Sequence, residues 1–72
     1  MHRTIILWLY EIEYDLGYTI LREYRKTMPT ENELLDAIIQ LLNAGRHPIG
    51  NHMKVRIRKI RIDFEVERDE AG

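Results

Sequence analysis

Seventy-two residues without a cysteine or a serine carry eleven basic and twelve acidic side chains, for a formal charge of −1. That length allows one small domain, and the composition excludes disulfide staples, thiolate metal sites and a serine nucleophile. Near-cancelling charge also argues against a protein that works by net charge alone, as a histone-like binder would.

A core of this size supplies only ~3–5 kcal/mol without added help. With staples absent, a homodimer is the expected way to bury more surface. No apolar run is long enough to span a membrane. The apolar start, residues 5–10, is followed at once by Glu11 and Glu13 and has neither the length nor the cleavage site of a signal peptide. A cytoplasmic protein is the expectation.

Residues 4–14 read TIILWLYEIEY. In a strand, Ile6, Trp8, Tyr10, Ile12 and Tyr14 point one way, and Ile5, Leu7, Leu9, Glu11 and Glu13 the other. Apolar side chains on both faces predict a central strand. Asp15-Leu16-Gly17 then predicts a three-residue hairpin loop, with Gly17 in the left-handed conformation such loops need. The second strand follows at 18–26. Placing Tyr14 opposite Tyr18 pairs Ile12 with Ile20 and Trp8 with Tyr24, and sets Leu21 beside Glu11 on the opposite face.

Pro29 ends that strand. Thr30-Glu31-Asn32-Glu33 has the pattern of a capping box, in which the Thr30 hydroxyl and the Glu33 carboxylate each accept from the other residue's amide. Gly45 marks the stop, so a helix is predicted over 31–44. Its apolar positions cover more than the ~100° stripe one sheet face requires, which leaves a flank for a second surface. The loop 45–52 holds His47 and His52. A last strand is predicted over 53–67, and residues 68–72 as a flexible acidic tail.

The order ββαβ, with a right-handed crossover, makes the third strand parallel to the second. Laid beside the first strand, it gives a two-layer α+β domain over residues 1–67: one helix on a three-stranded antiparallel sheet of order 2-1-3. The third strand changes phase midway, being apolar at Met53, Val55 and Ile57 and then at Ile60, Ile62, Phe64 and Val66. A bulge at Arg58-Lys59 would return all of these to the helix side. A straight strand instead sets Arg56 and Arg58 across from Glu13 and Glu11, and Ile60, Ile62 and Phe64 across from Leu9, Leu7 and Ile5. The matched change from charged to apolar on both strands favours the straight form. It predicts an outer apolar patch of Ile5, Leu7, Leu9, Leu21, Ile60, Ile62 and Phe64, of the kind that marks an interface.

The remaining chemistry is sparse. His47 and His52 lack a recognised ligand spacing, and pairing them with Arg46 and Lys54 as an acid–base site has nothing to select it. Gly45 and Gly50 do not make a phosphate loop. No enzyme activity, metal or cofactor is implied. The basic run Lys54, Arg56, Arg58, Lys59 and Arg61 is the rival signal, for nucleic acid. A strand splits it between two faces, and Glu11 and Glu13 answer half of it.

The ββαβ order resembles small phage-encoded proteins that inhibit host enzymes. The hairpin and helix over residues 4–44 are also similar to the first part of β-grasp domains such as ubiquitin, although only one strand follows the helix here. Both resemblances imply a module that docks a sheet face or edge on another protein. The functional expectation is a regulatory or inhibitory protein–protein interaction module whose target the sequence does not specify, with nucleic-acid binding as the alternative.

Overall fold

The structure, a computed structural model, describes residues 1–69; the end of the acidic tail, from residue 70 on, lies outside the described residues. Strand β1 (His2–Asp15) is the middle of a three-stranded sheet, flanked by β2 (Ile20–Arg25) and β3 (Lys54–Glu67), both antiparallel to it. Helix α1 (Glu31–Asn43) follows β2, and a short 3-10 turn (Ile49–Asn51) precedes β3. The α+β architecture and the order 2-1-3 are those the sequence predicts.

Local chemistry sets the helix ends. The Thr30 hydroxyl accepts from the Glu33 amide at 3.2 Å, and Glu33 accepts from the Thr30 amide at 3.0 Å. That hydrogen bond from the Thr30 backbone holds the Glu33 carboxyl below its ordinary range. At the other end Gly45, with φ 81°, donates to Leu42, and Arg46 donates to Leu41, the paired bonds of a Schellman stop. Thr30→Ala should lower stability by about 1 kcal/mol, read as an earlier urea midpoint with an unchanged slope.

The core sits under the helix, at one end of the sheet. Ile12, Tyr14 and Leu16 are buried, and Leu21, Leu34, Ala37, Ile38, Leu41, Met53, Val55 and Ile57 pack against them. Burial and a hydrogen bond to Glu23 at 2.5 Å push the Tyr14 hydroxyl well above its ordinary pKa, so it stays neutral. On the far flank of α1, Leu35 and Ile39 remain exposed.

Two expectations need correction. The hairpin loop has four residues between β1 and β2, because Leu16 turns into the core instead of spanning the tip. Its amide bonds Thr19, and the Asp15 carboxylate accepts from Gly17. Tyr14 is therefore opposite Leu21, not Tyr18. That shift of three residues, an odd number, swaps the faces of β2: Leu21 faces the helix, and Tyr24 faces outward beside Glu11. Gly17 does take a positive φ of 93°, and a Cβ there would press on Ile49 at 3.1 Å.

The second correction concerns Trp8, whose place on the same face as Ile12 and Tyr14 predicts that the helix covers it. A 13-residue helix spans about 20 Å and a 14-residue strand about 46 Å. Helix and β2 therefore cover only the upper half of β1. Its lower half continues with β3 as a two-stranded ribbon, and the molecule extends 56 Å along its long axis. Trp8 lies on that ribbon, 53% exposed.

Candidate docking face of the β1–β3 ribbon

The pairing of β1 with β3 runs without interruption from His2 opposite Glu67 to Asp15 opposite Lys54. No residue is inserted, so β3 is straight and the phase change survives as a change of face. Below Glu11, Leu9 lies opposite Ile60, Leu7 opposite Ile62 and Ile5 opposite Phe64. These six side chains share the face turned away from the helix. Ile62 and Phe64 are 42% and 39% exposed; the other four are half-buried by one another. Leu21 is no part of this face and packs on the core instead. Val66, opposite Arg3, joins the face; the even-numbered alternation from Ile60 to Val66 carries that signal.

An ionic cluster around the buried Glu11 carboxylate closes the apolar face at its upper end. The Arg58 guanidinium donates to one Glu11 carboxylate oxygen from Nη2 at 2.6 Å and from Nε at 3.2 Å, while the Tyr24 hydroxyl donates to the other at 3.2 Å. Glu11 is only 6% exposed. The hydrogen bond from Arg58 holds its carboxyl below the ordinary value, and Glu11 raises Arg58 in return. Glu13 pairs with Arg22 at 3.4 Å rather than with Arg56, which lies directly opposite it in β3. The swapped face of β2 causes this, since it brings Arg22 across from Glu13.

The opposite face of the ribbon is mixed. The Lys59 ammonium sits 5.4 Å from the Trp8 ring centre and 6.0 Å from that of Tyr10, within the range of a cation–π contact. Arg61 bonds Asp63 at 2.8 Å. The basic run is thus divided as its alternation requires: Lys54, Arg56 and Arg58 lie on one face, and Lys59 and Arg61 on the other.

The histidines separate. His47 lines a shallow depression with Ile38, Leu42, Pro48, Asn51 and Met53, and His52 does not contribute to it. At the ribbon tip, strand register brings His2 to Glu65 and Glu67, with ligand atoms within 4.8 Å of one another. Sequence spacing hides this cluster, because its members are at opposite ends of the chain. All three are exposed, with His2 to Glu67 at 3.7 Å and to Glu65 at 3.9 Å, and nothing orients them as a metal site needs.

No helix among the described residues is long and apolar enough to cross a membrane. Comparison with protein-family models, with curated proteins and with solved structures found no match for the chain.

Proposed function

We propose that the chain is a protein–protein interaction module, regulatory or inhibitory in role, that docks through the apolar face of its ribbon and self-associates. One observation carries the reading: Ile5, Leu7, Leu9, Ile60, Ile62, Phe64 and Val66 lie together on a sheet face that the helix cannot reach. A contiguous apolar surface outside the core is typical of an interface. An apolar face of this kind supports a binding role.

Leu7→Glu and Ile62→Glu test this. Both positions lie beyond the core, so the far-ultraviolet dichroism and the melting profile should match the parent. Capture of partners from an extract should fall sharply. If both variants capture partners as the parent does, the face is not an interface.

A second reading has its own observation. Trp8, exposed beside Tyr10 and Lys59, joins an aromatic surface to a cation, the pairing that stacks single-stranded bases. On that reading a mixed oligonucleotide shifts the protein at low salt, and Trp8→Ala with Lys59→Ala abolishes the shift. Absence of any shift at low salt removes it.

A further inference from the structure

We infer that two copies of this chain join edge to edge, antiparallel, through the lower half of β1, with Ile5 of each copy at the two-fold axis. This specifies the self-association proposed above and rests on that part of the reading, but it concerns the strand edge and not the apolar face.

The hydrogen-bond pattern identifies the open edge. Met1 and Arg68 exchange both of their backbone bonds, at 3.0 and 3.1 Å. In an antiparallel ladder bonded residues alternate, so the odd residues of β1 bond to β3. The even residues turn the other way, as the Leu16–Thr19 bond in line with β2 shows. Tyr10, Ile12 and Tyr14 lie opposite Arg25, Glu23 and Leu21 of β2. Below Tyr10, β2 has ended. His2, Thr4, Ile6 and Trp8 therefore direct their N–H and C=O groups at an edge that no strand among the described residues covers.

This edge differs from the outer edge of β3. The outer edge of β3 carries Lys54, Arg56, Arg58, Lys59 and Arg61 in its upper part and Asp63, Glu65 and Glu67 in its lower part. Such charges deter a new strand. Residues 4–9 of β1 have no charged side chain. A long, apolar, uncharged edge accepts a strand readily.

Symmetry and bonding then choose the partner and the register. Two copies of one edge meet about a two-fold axis, as closed dimers do. Only even residues have groups to share, so even residues must face even residues. Centring on Ile5 sets His2 opposite Trp8 and Thr4 opposite Ile6, in both directions, and pairs every open group of all four residues. Centring on Thr4 leaves Trp8 unpaired. Centring on Ile6 would place His2 where Arg25 already bonds Tyr10.

Charge fits this register as well. The second copy's β3 then lies one lane beyond β2, with Glu67 level with Trp8. Strand spacing puts its Cα about 8 Å from that of Arg25 and on the same face. The acidic end of one β3 thus comes near Arg25, the last residue of the other copy's β2, which also pairs with Glu23 and Glu33 within its own chain.

The chain has no cysteine, so single substitutions report cleanly. Ile5→Cys should form a disulfide-linked dimer under mild oxidation, because a non-bonded antiparallel pair holds its Cα atoms about 4.5 Å apart, within disulfide range. Leu9→Cys should not, as the two copies of that residue are about 26 Å apart along the strands. Thr4→Pro and Ile6→Pro remove edge donors without touching the β3 ladder or the apolar face. Each should give a monomer with parent-like helix content. Amide exchange provides a readout that needs no mutation: Thr4, Ile6 and Trp8 become protected as concentration drives dimer formation, while Ile5, Leu7 and Leu9 are protected throughout. A monomeric mass at millimolar concentration, preferential linking at Leu9, or a dimer in which Thr4, Ile6 and Trp8 still exchange freely would overturn the inference. If the proline variants are monomers yet still capture a partner that Leu7→Glu loses, edge and face act separately. If Leu7→Glu keeps partner capture while the proline variants lose the dimer, the face reading fails and the edge stands.

Discussion

Ile12→Ala should leave the chain mostly unfolded at 25 °C. Ile12 is fully buried, lies between Glu23 of β2 and Ile57 of β3, and faces the helix. Truncating a buried isoleucine to alanine costs about 2–5 kcal/mol through lost transfer energy and the cavity left behind. A single core in a chain this short supplies roughly 3–5 kcal/mol in total. Loss and reserve are therefore of one size. Ile12→Val removes one methyl group and should cost about 0.5–1.5 kcal/mol, leaving a folded protein with an earlier midpoint. Urea titration followed by circular dichroism measures both, at several protein concentrations, because the proposed dimerisation would add to apparent stability by mass action. A melting curve for Ile12→Ala close to that of the parent would mean that the stabilising contacts lie elsewhere.

Glu11→Gln should weaken the fold near neutral pH and remove part of its sensitivity to acid. In the folded chain the Arg58 hydrogen bond holds the Glu11 carboxyl below its ordinary value of 4.5. A folded state that binds a proton less readily than the unfolded state gains stability from ionisation. That gain is complete above the ordinary carboxylate pKa. It is lost as pH falls through the depressed folded value, where both states become protonated. Glutamine cannot ionise, so its curve lacks this component. The two proteins should differ most at pH 6–8 and converge below the ordinary carboxylate range. Glu33, lowered by the Thr30 amide, contributes acid sensitivity with the same sign and remains in the variant. Stability measured by urea at each pH tests this, and a parallel offset between the curves down to pH 2 would exclude the Arg58 pair as the cause.

The parts of this fold that local chemistry fixes were readable from residues alone. Thr30 and Glu33 cap the helix, Gly45 ends it, and the paired phase changes of β1 and β3 set a straight β3 with Leu7 opposite Ile62. The register of β2 was not readable in that way. It depends on whether Leu16 spans the turn or enters the core, and one apolar side chain in a tight loop decides that by packing. An odd shift then moves Leu21 and Tyr24 to opposite faces at once. Trp8 was misplaced for a different reason. Its alternation with Ile12 and Tyr14 is correct, but alternation gives a face and not a height, and the helix is too short to reach it. Element lengths carried that information. Val66 also continued the alternation of Phe64 and belonged with it.

The pairing of the first strand with the last has a consequence during synthesis. β1 is made first, and β3, on which its lower half depends, emerges last. At about 5–20 residues per second, the intervening fifty or so residues take roughly 3–10 s to appear. For that interval the segment TIILWL has no strand beside it, although the hairpin and helix can already form above. The nascent chain therefore carries its stickiest sequence uncovered until β3 has been made. Slowing the ribosome within the β3 codons should increase the aggregated fraction.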